Sequence, residues 1–378
     1  FSILVAQFYG AREKENLKCA VAKSYIMTAL LSVIVLAVSE GAVYHVLLFL
    51  QTPDNVIDLT MLYLRLIFAG IPIIAAYNIF AAILRALGNS RSPLIAMTIA
   101  ALINVGLDLL FVAVFGWGVA GAAVATVIAQ GFSALYCLMV LRKIPDIRLE
   151  KQDFYRQPAM SLRLLKVATP LAIQNVIISV GGLTVQYVVN GFGFLFVAGF
   201  TASNKLYGVL EMAAVSYGYA ITTYVGQNLG AKKIGRIKKG YHAALVLDIC
   251  FAVLAFIVIE TLHTHISSLF LGKDGTALAY QVSGDYMKWL GYFFIFMGIK
   301  MATDGVLRGL GIMRPFLIAN MVNLAIRLSV ALICAPRFGI DFVWLAVPAG
   351  WLANFLVSYA ALRKSWPGEK VEPSRIFS

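Results

Sequence analysis

Charged residues are scarce in this chain of 378 residues, at 13% of the total, whereas 61% of its residues are hydrophobic. In a soluble globular domain about a quarter of the residues are charged. The shortage of charge therefore excludes water as the main solvent of this protein. Apolar runs of about 20 residues recur along the whole chain, and at 1.5 Å of rise per residue such a run crosses a bilayer as a helix.

The sequence is also poor in the residues that build metal, redox and catalytic sites. Its four cysteines show no CxxC spacing, and its four histidines form no cluster at metal-ligand spacing. It has no zinc HExxH motif, no serine in the glycine-rich setting of a nucleophile and no pair of membrane aspartates. We therefore expect no metal site, no organic cofactor and no enzymatic activity.

The apolar segments predict an all-α polytopic membrane protein with ten complete helices after one short fragment. The fragment is 1–9, and the helices are 19–39, 58–84, 93–115, 118–141, 162–190, 196–226, 240–262, 277–307, 314–335 and 341–362. Pro72 lies inside the second complete segment and predicts a bend there, because its ring removes a backbone hydrogen bond.

The net charge of +13 is explained by where the basic residues fall. If the turn carrying Arg12 and Lys14 is cytoplasmic, strict alternation places most of the 31 basic residues on that side, including the stretch 142–166. The opposite loops at 115–118 and 190–196 carry none. This is the positive-inside pattern of a membrane protein. It predicts a cell-membrane protein with both tails cytoplasmic and no nucleic-acid partner.

The chain contains an internal repeat. The segment LRALGNSRSPLIA at 84–96 matches LRGLGIMRPFLIA at 307–319 with eight identities in thirteen, and QFYGA at 7–11 matches QNLGA at 227–231. Two matches at nearly the same offset indicate a duplication. The second copy begins near Leu162, so we expect about the first two helices of the first copy to precede Phe1.

Completed in this way, each copy has six helices, and an even number leaves both copies pointing the same way in the membrane. Such parallel repeats are one duplication scheme of secondary transporters, in which the substrate site lies between the halves. The polar stretch 142–161 separates the two bundles. We predict an N-terminal lobe at 1–150, lacking about two helices, and a complete C-terminal lobe at 151–378.

Three polar residues inside the first copy predict a cation site. Asn104 and Asp108 are four residues apart and share a helix face, while Thr126 lies about as far beyond the next turn as Asp108 lies before it. Their oxygen atoms suit Na⁺, and a lone carboxylate also suits H⁺. The alternative is structural, with Asp108 paired to Arg65 from the same outer side.

The second copy has no such site, because Asn104 corresponds to Arg327 and Asp108 to Ala331. Its own buried charges lie elsewhere in the sequence. Lys300 and Asp304, at i,i+4 spacing, are expected to form a structural pair. Ionisable residues in a membrane require pairing or a function. The candidates for a substrate cavity or a gate are Lys205, Glu211, Arg327 and Arg65.

The repeated Q-x-x-GA turn, the two LRxLG turns, NVGLD at 104–108 and GVAGAAVAT at 118–126 resemble the multidrug and toxic compound extrusion (MATE) family along the whole chain. The resemblance implies two six-helix lobes that alternate between inward-facing and outward-facing states. It also implies export of amphipathic or cationic compounds in exchange for Na⁺ or H⁺. We expect a monomer in the lipid bilayer.

The resemblance further implies a cation site built from an Asp in the first helix, an Asn, an Asp four residues later and a Thr in the next helix. The last three correspond to Asn104, Asp108 and Thr126, and the first-helix Asp is expected before Phe1. The alternative function is a flippase for lipid-linked oligosaccharides or cell-wall precursors. Such a flippase needs basic residues for pyrophosphate, and Lys205 and Arg327 keep this alternative open.

Overall fold

The protein is described from a computed structural model, which covers residues 1–49, 54–155, 157–271 and 276–366. The basic tail beyond residue 366 lies outside the described residues. Within them the fold is all-α, as predicted. The first half comprises α1 (Ser2–Ala11), α2 (Lys14–Phe49), α3 (Asp54–Ala69), α4 (Ile71–Ala86), α5 (Arg91–Asp108), the π-helical segment Leu109–Val114, α6 (Gly118–Arg142), a 3₁₀ turn (Pro145–Ile147) and α7 (Lys151–Tyr155).

The second half is built from longer helices. It comprises α8 (Ala159–Gly191), α9 (Phe194–Gly230), α10 (Ile234–Leu271), α11 (Ala277–Leu310), α12 (Met313–Ser329), the π-helical segment Val330–Cys334, α13 (Ala335–Phe338) and α14 (Asp341–Lys364). Each of the ten predicted apolar segments falls on one of these helices or on a helix with its continuation.

Eight helices of the described residues are long and apolar enough to cross a membrane, and the bent pair α3 and α4 makes a ninth. The remaining predicted segment, 196–226, lies in α9, which has 37 residues but is not among these apolar spans. Its polar content, including Lys205 and Glu211, explains the difference. Many large apolar side chains point outward from the helices, as expected for surfaces that face lipid.

The predicted bend at Pro72 is present. The helix breaks at Gly70, its two parts meet at 43°, and Pro72 is one of the first two residues of α4. Proline is tolerated there because the first backbone N–H groups of a helix have no intrahelical partner. A side chain at Gly70 would also collide with Val127, since a Cβ would come within 3.2 Å of its Cγ1.

The internal repeat is visible in the geometry of its turns. Arg12 and Lys232 end equivalent helices with φ of 60° and 58°. Gly88 and Gly311 end the other equivalent pair with φ of 89° and 79°, a conformation that glycine adopts without steric cost. In all four turns the backbone N–H of the following residue bonds a carbonyl five residues earlier. Matching sequence motifs therefore form matching helix ends.

The chain divides into two compact units, Phe1–Leu165 and Lys166–Ser378. The predicted boundary at residues 150 and 151 lies 15 residues before this division, which falls between residues 165 and 166. The connecting segment packs on the first unit, where Lys14 forms an ion pair with Asp146 at 2.8 Å. The ammonium group of Lys23 also donates to the backbone carbonyl of Phe154 at 2.6 Å. These contacts hold the connection against α2.

In the second unit α11 is the central helix, and most of its residues are buried. It packs closely on α9 because small residues face each other. A Cβ placed on Gly305 would lie only 2.6 Å from the backbone oxygen of Gly218, and one on Gly309 would lie 2.8 Å from that of Thr222. The two backbones thus approach to a distance that only glycine permits.

Candidate ion and substrate sites

The first candidate site is built by the antiparallel pair α5 and α6. Gly121 fixes how the two helices meet, since a Cβ there would lie 2.9 Å from the Cβ of Phe111. One consequence is that Thr126 lies opposite Asn104. The amide nitrogen of Asn104 donates to the hydroxyl of Thr126 at 3.5 Å, and this hydroxyl donates to the backbone carbonyl of Ala122 at 2.9 Å.

Asp108 lies one turn further along the same helix face, at the point where α5 gives way to the π-helical segment. Its Oδ1 is buried and has no hydrogen-bond partner in the described structure. Asp108 makes no hydrogen bond to Thr126 there, because the helix pair brings Thr126 level with Asn104 instead. A buried carboxylate oxygen without a donor is costly and is suited to a bound cation or proton.

A π-helical segment also occurs in the second copy, at Val330–Cys334, where it includes the residue that corresponds to Asp108. Such segments are rare and occur often at functional sites. In the second copy the residue aligned with Asp108 is Ala331, which is fully buried. The backbone irregularity is therefore shared by both copies, whereas the carboxylate is present in the first alone.

Arg65 does not take the role of partner to Asp108. Its Nε lies 3.6 Å from Oε2 of Glu40, and the two side chains are 53% and 34% exposed. Glu40 is on α2, which packs against α3, so the guanidinium finds a carboxylate on its neighbouring helix. The structural alternative for Asp108, an ion pair with Arg65, is not formed in the described structure.

Gln130 adds a polar group that the sequence pattern does not single out. It lies one turn after Thr126 on α6, and its side-chain oxygen is buried without a hydrogen-bond partner in the described residues. The signal available in the sequence was its i,i+4 spacing from Thr126 on a helix with few other polar residues. Gln130 thus extends the polar strip of α6 toward the C-terminal end of this helix.

In the second unit, Glu211 and Arg327 belong to one cluster. Glu211 on α9 interacts electrostatically with Arg327 on α12 and with Lys300 on α11, and it contacts the hydroxyl of Tyr207. The side chain of Arg327 passes over Gly181 of α8, where a Cβ would lie 3.2 Å from its Nη1. Lys205 is exposed and is not among the charged groups that interact with Glu211.

Lys300 and Asp304 form the pair expected from their spacing. Nζ of Lys300 lies 3.2 Å from Oδ2 of Asp304, and the side chains are 3% and 0% exposed. Oδ1 of Asp304 accepts a hydrogen bond of 2.7 Å from the hydroxyl of Ser358 on α14. The charged groups of the second unit thus carry both signs, whereas the charged group of the candidate site in the first unit is the carboxylate of Asp108.

Residues 1–110 and 170–333 match the sequence profile of the MatE family, and these ranges make up more than half of the chain. The chain belongs to the MatE family. It is therefore a transporter of the MATE type and a multi-pass membrane protein. The resemblance carried by the repeated turns and by NVGLD is confirmed.

Two relatives and one solved structure illustrate the similarity. YpnP of Bacillus subtilis, a probable multidrug resistance protein, is 30% identical over 277 residues, which cover 72% of this chain and 61% of the relative. The chain thus spans less than two thirds of that relative. YoeA of the same organism, also a probable multidrug resistance protein, is 25% identical over 381 residues, which cover 98% of this chain and 82% of the relative.

The solved structure is a transporter of the MOP superfamily from Pyrococcus furiosus. It superimposes with a TM-score of 0.91 at 21% identity, covering 98% of this chain and 83% of that one. At this identity the match shows the fold alone. In this chain Asn104 and Thr126 meet because α5 and α6 form an antiparallel pair joined by a short turn.

Proposed function

We propose that this MATE protein is a secondary active exporter of amphipathic or cationic organic compounds. Export is driven by exchange for Na⁺ or H⁺, and the lobes alternate in giving access to the two sides of the membrane. The names of the relatives as multidrug resistance proteins support the substrate class. The protein works as a monomer in the cell membrane with both tails in the cytoplasm.

The observation that carries the ion-coupling proposal is the environment of the Asp108 carboxylate. Its Oδ1 is buried without a hydrogen-bond partner in the described residues, one turn from the contact between Asn104 and Thr126. A carboxylate, an amide oxygen and a hydroxyl are ligands that a hard cation prefers. The same carboxylate also serves if the coupling ion is H⁺, since carboxyl groups inside membrane transporters act as proton carriers.

The substrate side of the proposal rests on the cluster around Glu211. A cationic compound needs a carboxylate that is accessible for part of the cycle, and Glu211 is only half-buried. Its interaction with Arg327 holds this carboxylate in place until a cation competes for it. Lys205, Arg327 and Arg65 then act on substrate entry or gating rather than on ion binding.

A flippase for lipid-linked oligosaccharides or cell-wall precursors is the second candidate. The observation in its favour is that Nε of Arg327 is buried and without a hydrogen-bond partner in the described structure. A guanidinium with free donors suits a pyrophosphate group. Against it, Glu211 neutralises part of that charge, so the exporter remains the better supported function.

The test uses the full-length protein in liposomes, with efflux of a fluorescent organic cation followed under an imposed sodium or proton gradient. We expect one gradient to drive efflux in the wild type and Asp108→Asn to abolish it. Asp341→Asn makes the same chemical change at an exposed position at the start of α14 and should leave efflux unchanged. Efflux that persists in Asp108→Asn would contradict the site.

If no gradient drives efflux of any organic cation tested, the exporter function itself is wrong. The same liposomes then serve to test transbilayer movement of a fluorescent pyrophosphate-linked lipid. Wild-type flipping that is lost in Arg327→Gln would establish the second candidate in its place.

A further inference from the structure

Asp248 is a carboxyl group in the second unit that the proposed mechanism does not yet use. It lies in α10, which is among the most apolar of the candidate membrane spans with a mean hydropathy of 2.6. Asp248 is 2% exposed, and its Oδ2 has no hydrogen-bond partner in the described residues. It is the fifteenth residue of the helix, so it lies about 20 Å along the axis from the cytoplasmic end.

The side chain of Asp248 packs directly on the backbone of α11. A Cβ placed on Gly298 would lie 2.9 Å from the Cβ of Asp248 and 3.5 Å from its Oδ1. Glycine at this position therefore makes the space that the carboxyl group occupies. The next turn of α10 carries Phe251, whose ring lies 5.9 Å from that of Phe294 on α11. The carboxyl group is thus enclosed by helix backbone and apolar side chains.

The charged and titratable groups of the neighbouring helices are engaged elsewhere. On α11 the charged residues nearest to Gly298 along the helix are Lys300 and Asp304, which pair with each other. On α9 the titratable group at this level is Tyr217, whose ring packs 6.1 Å from that of Phe251. On α10 itself Tyr241 shares a hydrogen bond with Thr303 at 2.8 Å. In the described part of the chain Asp248 forms no ion pair, and its Oδ2 has no hydrogen-bond partner.

An ionised carboxylate in this position would lack both water and a counter-charge. Burying such a charge is strongly unfavourable, and a buried group without a partner takes up a proton instead. Packing alone does not explain an Asp here, because an apolar residue of similar size would fill the space beside Gly298 without an unpartnered oxygen. Polar groups retained inside a membrane at such a cost are usually functional.

The two units therefore each contain a carboxyl group with a buried, unpartnered oxygen, Asp108 in the first and Asp248 in the second. The positions are not equivalent in the repeat. Asp108 is on α5 and aligns with Ala331, whereas Asp248 is on α10. The offset of 220 between the Q-x-x-GA turns relates Asp248 to Thr28, and the offset of 223 between the LRxLG turns relates it to Tyr25, so no carboxylate corresponds to it in the first copy. The second unit has lost the carboxylate position of the first and carries one on a different helix.

We propose that Asp248 is a second ion site of this transporter, which holds a proton while α10 and α11 are packed together and exchanges it when this contact opens. On opening, the O–H bond of the carboxyl group breaks, the proton passes to water and the carboxylate remains. On closing, the carboxylate takes a proton from water on the other side of the membrane. This inference rests on the proposed function, because it assigns part of the coupling to the second lobe.

The first test detects the proton directly and needs no substrate. Infrared difference spectra of the reconstituted full-length protein are recorded as the pH is raised and lowered around neutrality. We expect a carbonyl band of a protonated carboxylic acid that disappears in Asp248→Asn but remains in Asp108→Asn. Asp285→Asn, an exposed position on α11, is the matched control and should keep the band. If no band is lost in Asp248→Asn, the proposal is overturned.

The second test asks whether this proton is exchanged during transport. Efflux of ethidium driven by a pH gradient alone is compared in wild-type, Asp248→Asn and Asp285→Asn liposomes, with a pH-sensitive dye to count protons per ethidium. We expect Asp248→Asn to lower the proton count and the pH-driven rate. An unchanged count and rate would overturn the proposal, even if the infrared band is present.

Failure of the proposed function gives a different pattern. In that case no gradient drives ethidium efflux in the wild type, and the infrared band still decides whether Asp248 is protonated. Absence of the band overturns the inference. Presence of the band supports a proton site at Asp248 but not its part in transport. If Asp248→Asn does not fold, Gly298→Ala replaces it. This variant keeps the carboxyl group but crowds it, and we expect it to shift the pH at which the band disappears.

Discussion

Lys300 and Asp304 form an ion pair of 3.2 Å that is almost completely closed from solvent, with 3% and 0% of the side chains exposed. They lie one turn apart on α11, the most buried helix of the second unit. Ser358 completes the arrangement by donating to the other oxygen of Asp304. In such a pair each charge depends on its partner, because neither has water to stabilise it.

The first prediction follows from this dependence. Lys300→Met should leave the carboxylate of Asp304 buried without its cation, which costs about 3–5 kcal/mol. We expect a lower melting temperature and a lower yield of monodisperse protein in detergent. The double variant Lys300→Met with Asp304→Asn should recover most of the loss, since it removes both charges. If Lys300→Met is as stable as Lys288→Met, a half-buried position on the same helix, the pair contributes little.

The close approach of α9 and α11 gives a second prediction. A Cβ at Gly305 would meet the side chain of Ile221 and would lie 2.6 Å from the backbone oxygen of Gly218. Gly305→Ala should therefore separate the helices and destabilise the second unit by about 1–3 kcal/mol, as expected for overpacking. Thermal unfolding in detergent measures this effect.

Gly208 on α9 provides the matched control, because nothing lies within 4 Å of a Cβ at that position. Gly208→Ala should be neutral or stabilising by about 0.5–1 kcal/mol, through the better helix propensity of alanine. Equal effects of the two substitutions would show that the helices are not in close contact at Gly305.

Much of the fold could be predicted from the sequence because hydrophobic length and repetition are strong signals. The runs of about 20 apolar residues predict the helices, and the repeated LRxLG and Q-x-x-GA motifs predict helix ends, which are formed with matching left-handed residues at Arg12 and Lys232. The bend near Pro72 also follows from local chemistry. These features depend on residues that are close together in the sequence.

The candidate site was less predictable because it depends on the register between helices. Equal distances from the turn place Thr126 level with Asp108, whereas the π-helical segment Leu109–Val114 and the close packing of Gly121 place it level with Asn104. The ion-pair partner of Arg65 could not be predicted either, because it depends on which helix packs beside α3. The sequence does not single out Asp248, because the position of one Asp in an apolar run does not reveal how deeply its side chain is buried.

A third prediction concerns Arg308, whose guanidinium is buried between two aromatic rings. Its Cζ lies 5.0 Å from the ring centre of Tyr219 and 5.7 Å from that of Phe316. Lysine retains the charge but lacks the planar group that stacks on rings. Arg308→Lys should therefore lower stability by about 1–2 kcal/mol, the range of a desolvated cation–π contact.

The internal repeat supplies the control for Arg308. Arg85 holds the equivalent position in the first copy but is exposed, so Arg85→Lys should change stability by less than about 0.5 kcal/mol. The two variants are compared by their melting temperatures in the same detergent. A larger effect at Arg85 would show that the turn itself, rather than the aromatic contacts, requires arginine.

The final prediction is that the coupling ion stabilises the folded protein through Asp108. A ligand that binds the folded state alone raises its stability by about 2.7 kcal/mol at a concentration of 100 times its Kd. We therefore expect added Na⁺, at constant ionic strength set with choline, to raise the melting temperature of the wild type but not of Asp108→Asn. Thr126→Val, which removes one oxygen beside Asn104, should require more Na⁺ for the same shift.

A proton site predicts a different outcome from a sodium site in this measurement. Na⁺ would then have no effect, and lowering the pH would stabilise the wild type relative to Asp108→Asn, because the neutral Asn cannot bind the proton. Asp341→Asn should follow the wild type in both series, since its side chain is exposed at the start of α14. If Asp108→Asn responds to Na⁺ and to pH as the wild type does, the ion binds at another group, and Asp248 becomes the first position to examine.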